Sequence, residues 1–236
     1  MLFLGRKLRH ELKYYINPHE YVALRQRISS LLTLDKHSGA SDGYCVRSLY
    51  FDGPHDHALY DKNNGVFSRE KYRIRVYNGS DRVIKLERKS KYGEYVCKES
   101  ASLSRDVYDR LLVGDGSVLK DATVPLLKDF YMAVEMRGFR PAVIVDYIRE
   151  AYIYEYEDVR ITFDKKLSGA VNTYDLFDPN LALVEALETG RTIMEVKFNA
   201  FLPESVRLLA QPHAHNRSAI SKYVICRELG IKHFTP

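Results

Sequence analysis

Between Lys71 and Lys98 the chain alternates basic and apolar residues with a period of two. Lys71, Arg73 and Arg75 share one face of a strand, and Tyr72, Ile74 and Val76 share the other. That period marks a β-strand with two unlike faces. Lys85, Glu87 and Lys89 repeat the charged face one strand later, backed by Ile84 and Leu86. The register constrains the connection between them. A two-residue turn at Asn78-Gly79 would set Arg73 opposite Ile84 and mix the faces, which a sheet with one buried side resists. An odd loop of three or five residues keeps the faces apart. The five-residue version sets Arg75 opposite Lys85 and Arg73 opposite Glu87.

The same alternation recurs along the chain. Arg9, Glu11 and Lys13 stand against Leu12 and Tyr14; Arg160 and Thr162 stand against Val159, Ile161 and Phe163. Glu195 and Lys197 stand against Met194, Val196 and Phe198. Further strands are expected over 44–52, over 93–100 and through Arg149. A solvated outer face would mix Ser, Thr, Gln, Lys and Glu. Arg and Lys at nearly every charged place point to a sheet closed into a barrel, with a charged lumen and helices outside. The expected class is α+β, a closed antiparallel β-barrel covered by helices, as one domain over 1–236.

Helix signals lie between the strands. Asn17-Pro18 opens one running to about Leu32, Ser104 caps one ending near Leu112, and Thr123 caps one over 124–137. Pro203 opens a short helix, and the last is expected from Asn216 to Leu229, closed by Gly230. Ser218 and Lys222 lie four apart on it and would share a face. The tyrosines are assigned to the apolar backs of strands, which argues against stacked bases and a nucleic-acid partner. Lys165-Lys166 is read as a solvated turn.

Charge then narrows the function. The chain carries a net +5. The lumen candidates are Arg9, Lys13, Lys71, Arg73, Arg75, Lys85, Lys89, Arg149, Arg160, Lys197 and Lys222 against Glu11, Glu87 and Glu195. They put +8 inside and −3 outside. A basic interior of this kind is a polyanion site, because unpaired buried cations are otherwise costly. The interior carboxylates are hard oxygen ligands suited to Mg²⁺ or Mn²⁺ beside phosphate. No apolar run is long enough to cross a bilayer and no secretory leader is evident, so a cytoplasmic protein is expected. Three separated cysteines fit a reducing compartment.

"RHELKYYI", "SLYFD", "KYRIRVY", "IKLERK", "RITFD", "IMEVKF" and "SKY", in this order, resemble the VTC-type polyphosphate polymerase domain of the triphosphate tunnel metalloenzyme (CYTH-like) superfamily. The resemblance runs from about Lys7 to Leu229. It implies a tunnel of about eight antiparallel strands that binds a triphosphate beside a glutamate-held divalent metal. Carried over by motif, Lys13, Arg73, Arg75 and Lys85 bind phosphate, and either Arg149 or Arg160 fills the later arginine role. Lys197 stands beside the metal ligand Glu195, and Lys222 closes one tunnel end. Arg9, Lys71, Lys89 and Ser218 are further substrate contacts, and Glu11 and Glu87 further metal candidates.

Many tunnel enzymes begin with E-x-E-x-K, whereas Arg9 holds the first acidic place here. That loss leans toward the polymerase branch, which moves the γ-phosphoryl group of ATP onto inorganic polyphosphate. The alternatives are an inorganic or nucleoside triphosphatase, with Glu11 or Glu87 orienting water, and a non-catalytic polyphosphate-binding module. Oligomeric state is not legible.

Overall fold

Eight strands carry the charged alternation. They are β1 (Arg9–Ile16), β2 (Tyr44–Asp52), β3 (Ser68–Tyr77), β4 (Ser80–Tyr92), β5 (Tyr95–Leu103), β6 (Arg140–Tyr154), β7 (Val159–Ala170) and β8 (Thr192–Phe198). The computed structural model describes residues 2–3, 6–39, 42–171, 173–212 and 218–234. In it β1 pairs with β5, and the ladder continues through β4, β3, β2, β6 and β7 to β8. β8 then pairs back onto β1, with Glu195 opposite Lys13 and Lys197 opposite Glu11. All pairs are antiparallel and the ring is closed, so no edge of it is left unpaired.

The described helices cover the outside. α1 (Pro18–Ser29) starts in a capping box in which Asn17 and Glu20 satisfy each other's backbone N–H groups. It ends three residues before the expected Leu32. α2 is His57–Asn63. α3 (Arg105–Leu112) is capped by the Ser104 side chain as expected. α4 (Pro125–Glu135) begins one residue later than expected, with Val124 rather than Thr123 at its N-cap and Pro125 in the first turn. α5 (Glu204–Leu209) follows Pro203. α6 is Lys222–Phe234, not 216–229; the expected first residue, Asn216, lies outside the described residues. Ser218 therefore precedes α6 and shares no helix face with Lys222.

Two apolar clusters hold helices to the barrel's outer face. One packs Tyr108, Leu111, Phe130 and Val134 of α3 and α4 on Phe51, Tyr72, Ile74 and Leu86. The other packs Leu24, Ile28 and Val206 of α1 and α5 on Ile161, Phe163 and Val196. A third lies inside one end of the barrel, where Tyr223, Val224 and Cys226 of α6 meet Val46, Val145 and Tyr147.

The β3–β4 hairpin gives the expected pairs, Arg73 with Glu87 and Arg75 with Lys85, by an unexpected route. The turn is the tight Asn78-Gly79 one, with φ of 52° and 65°, and Tyr77 pairs with Ser80. A bulge opposite Val76 then absorbs the surplus residues of β4, which restores the faces that a tight turn alone would mix. Lys165-Lys166 is likewise a bulge within β7 rather than a turn, and Lys165 reaches Glu150.

Candidate functional site

Strand parity brings the charged residues into one lumen. It holds a cavity of about 580 Å³. Fourteen described Lys and Arg side chains line it against three glutamates (Glu11, Glu94 and Glu195), an excess of eleven positive charges. Arg9, Glu11 and Lys13 reach it from β1, Lys71, Arg73 and Arg75 from β3, and Lys89 from β4. Arg149, Arg160, Glu195 and Lys197 reach it from β6 to β8, and Ser218 and Lys222 from the approach and start of α6.

Two expected residues do not line it. Lys85 sits at the edge of the β4 bulge. Glu87 is fully buried behind the arginines, where it accepts from Arg73 Nε at 2.8 Å and from Lys98 Nζ at 2.9 Å. It does not reach the cavity, so it is an ion-pair partner rather than an open metal ligand.

Glu195 is a buried acid that faces the cavity and is held by four cations. Lys222 Nζ lies 2.6 Å and Lys13 Nζ 3.6 Å from Oε1; Lys197 Nζ lies 2.7 Å and Arg149 3.7 Å from Oε2. Burial alone would raise its carboxyl, but these cations hold it well below the usual range. Glu11 is held between Lys89, at 2.6 Å, and Arg9, at 2.9 Å. Arg149 forks onto the fully buried Asp164 with two bonds of 2.7 Å, and Lys222 joins them at 2.6 Å. Burial would lower Lys222, yet Asp164 and Glu195 lift it above the ordinary lysine value. Other lysines have less compensation. Burial pushes Lys71 down to about 7, helped by Lys13 and Lys89. It pushes Lys197 to about 7 against the pull of Glu195, and Lys89 to about 8 against that of Glu11.

Tyr44, Tyr50, Tyr77 and Tyr147 face the lumen rather than the strand backs expected of them, and Tyr50 and Tyr147 orient arginines, whereas Tyr72 and Tyr152 sit on the backs as expected. Arg73 donates to Tyr50 Oη at 2.8 Å. Arg75 donates to Ser48 Oγ and to Tyr147 Oη, both at 3.1 Å. Tyr44, Tyr77 and Tyr223 line the cavity too. Parity carried the signal for Tyr147, two residues before Arg149, and for Asp164, two after Thr162. Parity extended one step also finds Arg69 and Lys91. Lys98 needs the two-residue turn between Tyr92 and Tyr95, which moves even-numbered residues of β5 inward. Lys62, on α2, carries no strand pattern at all. Arg149 and Arg160 both line the cavity, but Arg149 is buried among acids whereas Arg160 pairs with Asp35 at 2.6 Å and is partly exposed.

His213 and His215, whose spacing is zinc-like but which are expected to be surface loop residues, lie outside the described residues. Among those described, no group of three or more His, Cys, Asp or Glu side chains forms a cation cage, and no helix is long and apolar enough to cross a membrane.

Comparison with solved structures returns tunnel-fold proteins. One is HpAC1 from Hippeastrum, whose dominant activity is described as triphosphatase. It is 15% identical, with a TM-score of 0.55, covering 94% of this chain and 95% of that one. Another is the PH1012 protein of Pyrococcus horikoshii, 13% identical, with a TM-score of 0.50 and coverage of 92% and 98%. At these identities the likeness concerns the fold. No curated protein matches the sequence. The family model described as the VTC domain matches residues 8–230, nearly the whole barrel and its helices, and the chain belongs to the VTC domain family.

Proposed function

We propose that this chain is a polyphosphate polymerase, which moves the γ-phosphoryl group of ATP onto the end of an inorganic polyphosphate chain. A terminal polyphosphate oxygen attacks the γ-phosphorus, the β,γ-bridging P–O bond breaks, and ADP leaves with the bond's electron pair. The nucleophile is already ionised, so the reaction needs positioning and charge neutralisation rather than a base. One observation carries the choice of acceptor. Both cavity carboxylates with described contacts, Glu11 and Glu195, are tied up by lysines and arginines, and neither is free to orient a water.

Arg73, Arg75 and Arg149 line the cavity with guanidinium groups already anchored on Glu87, Ser48 and Asp164, so they present charge and their remaining N–H groups to phosphate oxygens, and Lys13, Lys71, Lys89, Lys197 and Lys222 offer point charges. Tyr50 and Tyr147 hold two of the forks in place. Glu195 and Glu11, on adjacent strands, are the cavity-facing carboxylates that would hold a Mn²⁺ or Mg²⁺ together with phosphate and water, and such an ion would have to displace lysine or arginine contacts from them. Such an ion, when bound, neutralises charge on the transferring phosphoryl oxygens.

The second reading is triphosphate hydrolysis, supported by the activity described for the Hippeastrum protein. Incubation with ATP and Mn²⁺, with and without a short polyphosphate primer, separates them on a polyphosphate-resolving gel. A ladder with matching ADP is expected, and it is lost in Glu195→Gln without loss of fold. Orthophosphate without a ladder makes the protein a triphosphatase. Neither product, with tripolyphosphate still bound, makes it a binding module.

A further inference from the structure

ATP has an uncharged end. Its nucleoside cannot lie among fourteen cations without stranding them, so it must leave the phosphate-binding lumen at one mouth. The two ends of the lumen differ in chemistry. Arg69 and Tyr77 stand at opposite ends of β3, eight residue steps apart, which is roughly 26 Å along the strand.

At the Arg69 end Arg69, Lys71 and Lys62 have no ion pair with a carboxylate among the described contacts, and Lys91 and Lys89, opposite Arg69 and Lys71, add to them, Lys89 being paired with Glu11. The rings there are closed off. Tyr50 and Tyr223 pack on each other at 5.2 Å and are 8% and 1% exposed. Their hydroxyls are engaged by Arg73 and Asp52, and Lys71 Nζ sits 4.5 Å over the Tyr223 ring. This end suits further phosphates and offers no free ring face.

At the Tyr77 end two rings line the cavity, Tyr44 and Tyr77, 5.9 Å apart and tilted by 55°. The neighbouring cations are already engaged: Arg160 pairs with the buried Asp35 at 2.6 Å and donates to Tyr44 Oη at 3.2 Å, Arg149, opposite Tyr44, forks onto Asp164, and Arg75 lies 3.7 Å from Glu87. Tyr77 is half-buried and its hydroxyl has no partner among the described contacts. The Asn78-Gly79 turn directly after Tyr77 holds it at the rim, because Asn78 Oδ1 accepts from Cys45 N, beside Tyr44.

We infer that Tyr77, seated on Tyr44 at the end of the lumen opposite Arg69, is a stacking platform for the nucleobase of a nucleoside triphosphate, and so fixes which way ATP lies in the tunnel. This rests on the proposed use of ATP. Stacking needs only a π-face, so the platform takes purine nucleotides without reading their hydrogen bonds.

Calorimetry with ATP and with inorganic tripolyphosphate, which has no base, tests it. Tyr77→Leu keeps apolar bulk and removes the ring. ATP affinity should fall at least about fivefold, the low end of base–aromatic stacking, while tripolyphosphate binds as before. Tyr77→Trp should tighten ATP alone. Melting curves and the tripolyphosphate affinity report the fold, and Tyr77→Phe, which keeps the ring, should retain wild-type ATP affinity. An ATP affinity indifferent to Leu and Trp, or an equal loss for both ligands, overturns the platform while leaving the triphosphate site standing. Wild-type protein that binds tripolyphosphate as tightly as ATP, with both unaffected by Tyr77, overturns it in the same way. Failure to bind either ligand overturns the proposed function and this inference together.

Discussion

Lys71 shows how a lumen cation can be left waiting for an anion. Its ammonium meets the Ser221 hydroxyl at 3.1 Å and the Tyr223 ring, but no described carboxylate. Burial, then Lys13 and Lys89, bring it down to about 7, so above that pH the free protein holds it mostly neutral. A bound triphosphate favours the charged form and raises its pKa, so binding takes up a proton. By the same reasoning Lys197, near 7, and Lys89, near 8, act in the same direction. Tripolyphosphate affinity should therefore fall from about pH 7 to about pH 9 relative to Lys71→Arg, since the ligand's own last ionisation is the same for both proteins. Lys71→Arg, which stays charged, should flatten the profile. A wild-type profile by calorimetry that stays flat relative to Lys71→Arg would mean Lys71 stays charged without the ligand. The inward face of β3 was legible at this scale because parity needs only the sequence. The partners were not: nothing in the chain's order says that Glu87 is spent on Lys98, or that Asp164 holds both Arg149 and Lys222.

A strand positions its side chains only if its ends are fixed. β2 begins at Tyr44, which pairs with Arg149, and Gly43 makes that start possible. Gly43 has φ of 95°, and a Cβ there would stand 2.2 Å from the Arg149 carbonyl oxygen. Backbone, not a flexible side-chain tip, is the obstacle, so the clash cannot be relieved locally. Gly43→Ala should destabilise the fold by about 2 kcal/mol or more, the combined scale of backbone strain and steric conflict. Urea unfolding checks this, and a change under about 0.5 kcal/mol, typical of innocuous surface changes, would sink it. Element boundaries follow local chemistry where caps speak for themselves, as Asn17 and Ser104 do. They escape it where tertiary contacts decide. α6 starts at Lys222 because the chain before it lies along the lumen, with Ser218 N bonded to Lys13 O and Ile220 O to Lys13 Nζ. The tight Asn78-Gly79 turn is disfavoured by register alone, yet a bulge, which leaves little trace in residue type, repairs that register.

Closure of the barrel joins β1 to β8, nearly the length of the chain apart, and no local pattern announces that contact. It is legible only through electrostatics: the same charged face on strand after strand makes sense only if the faces look at one another. The structure goes further than the sequence, since the lumen holds an excess of eleven positive charges in a chain of net +5. The rest of the molecule is therefore net negative. An anion approaching the outer wall is repelled and one at a mouth is drawn in, because low-dielectric walls focus the field. Association should then depend on salt far more than a net +5 spread over the surface would allow. In stopped-flow mixing with tripolyphosphate, raising ionic strength from about 0.01 M to about 1 M shortens the screening length from roughly 30 Å to roughly 3 Å. The association rate should drop by at least about tenfold, within the range known for steered encounters. Dissociation should change much less, since contacts such as Arg149 with its acids are buried and weakly screened. An association rate that holds steady while dissociation accelerates would place the decisive charges at the rim, in solvent, and would remove the reason for closing the sheet around them.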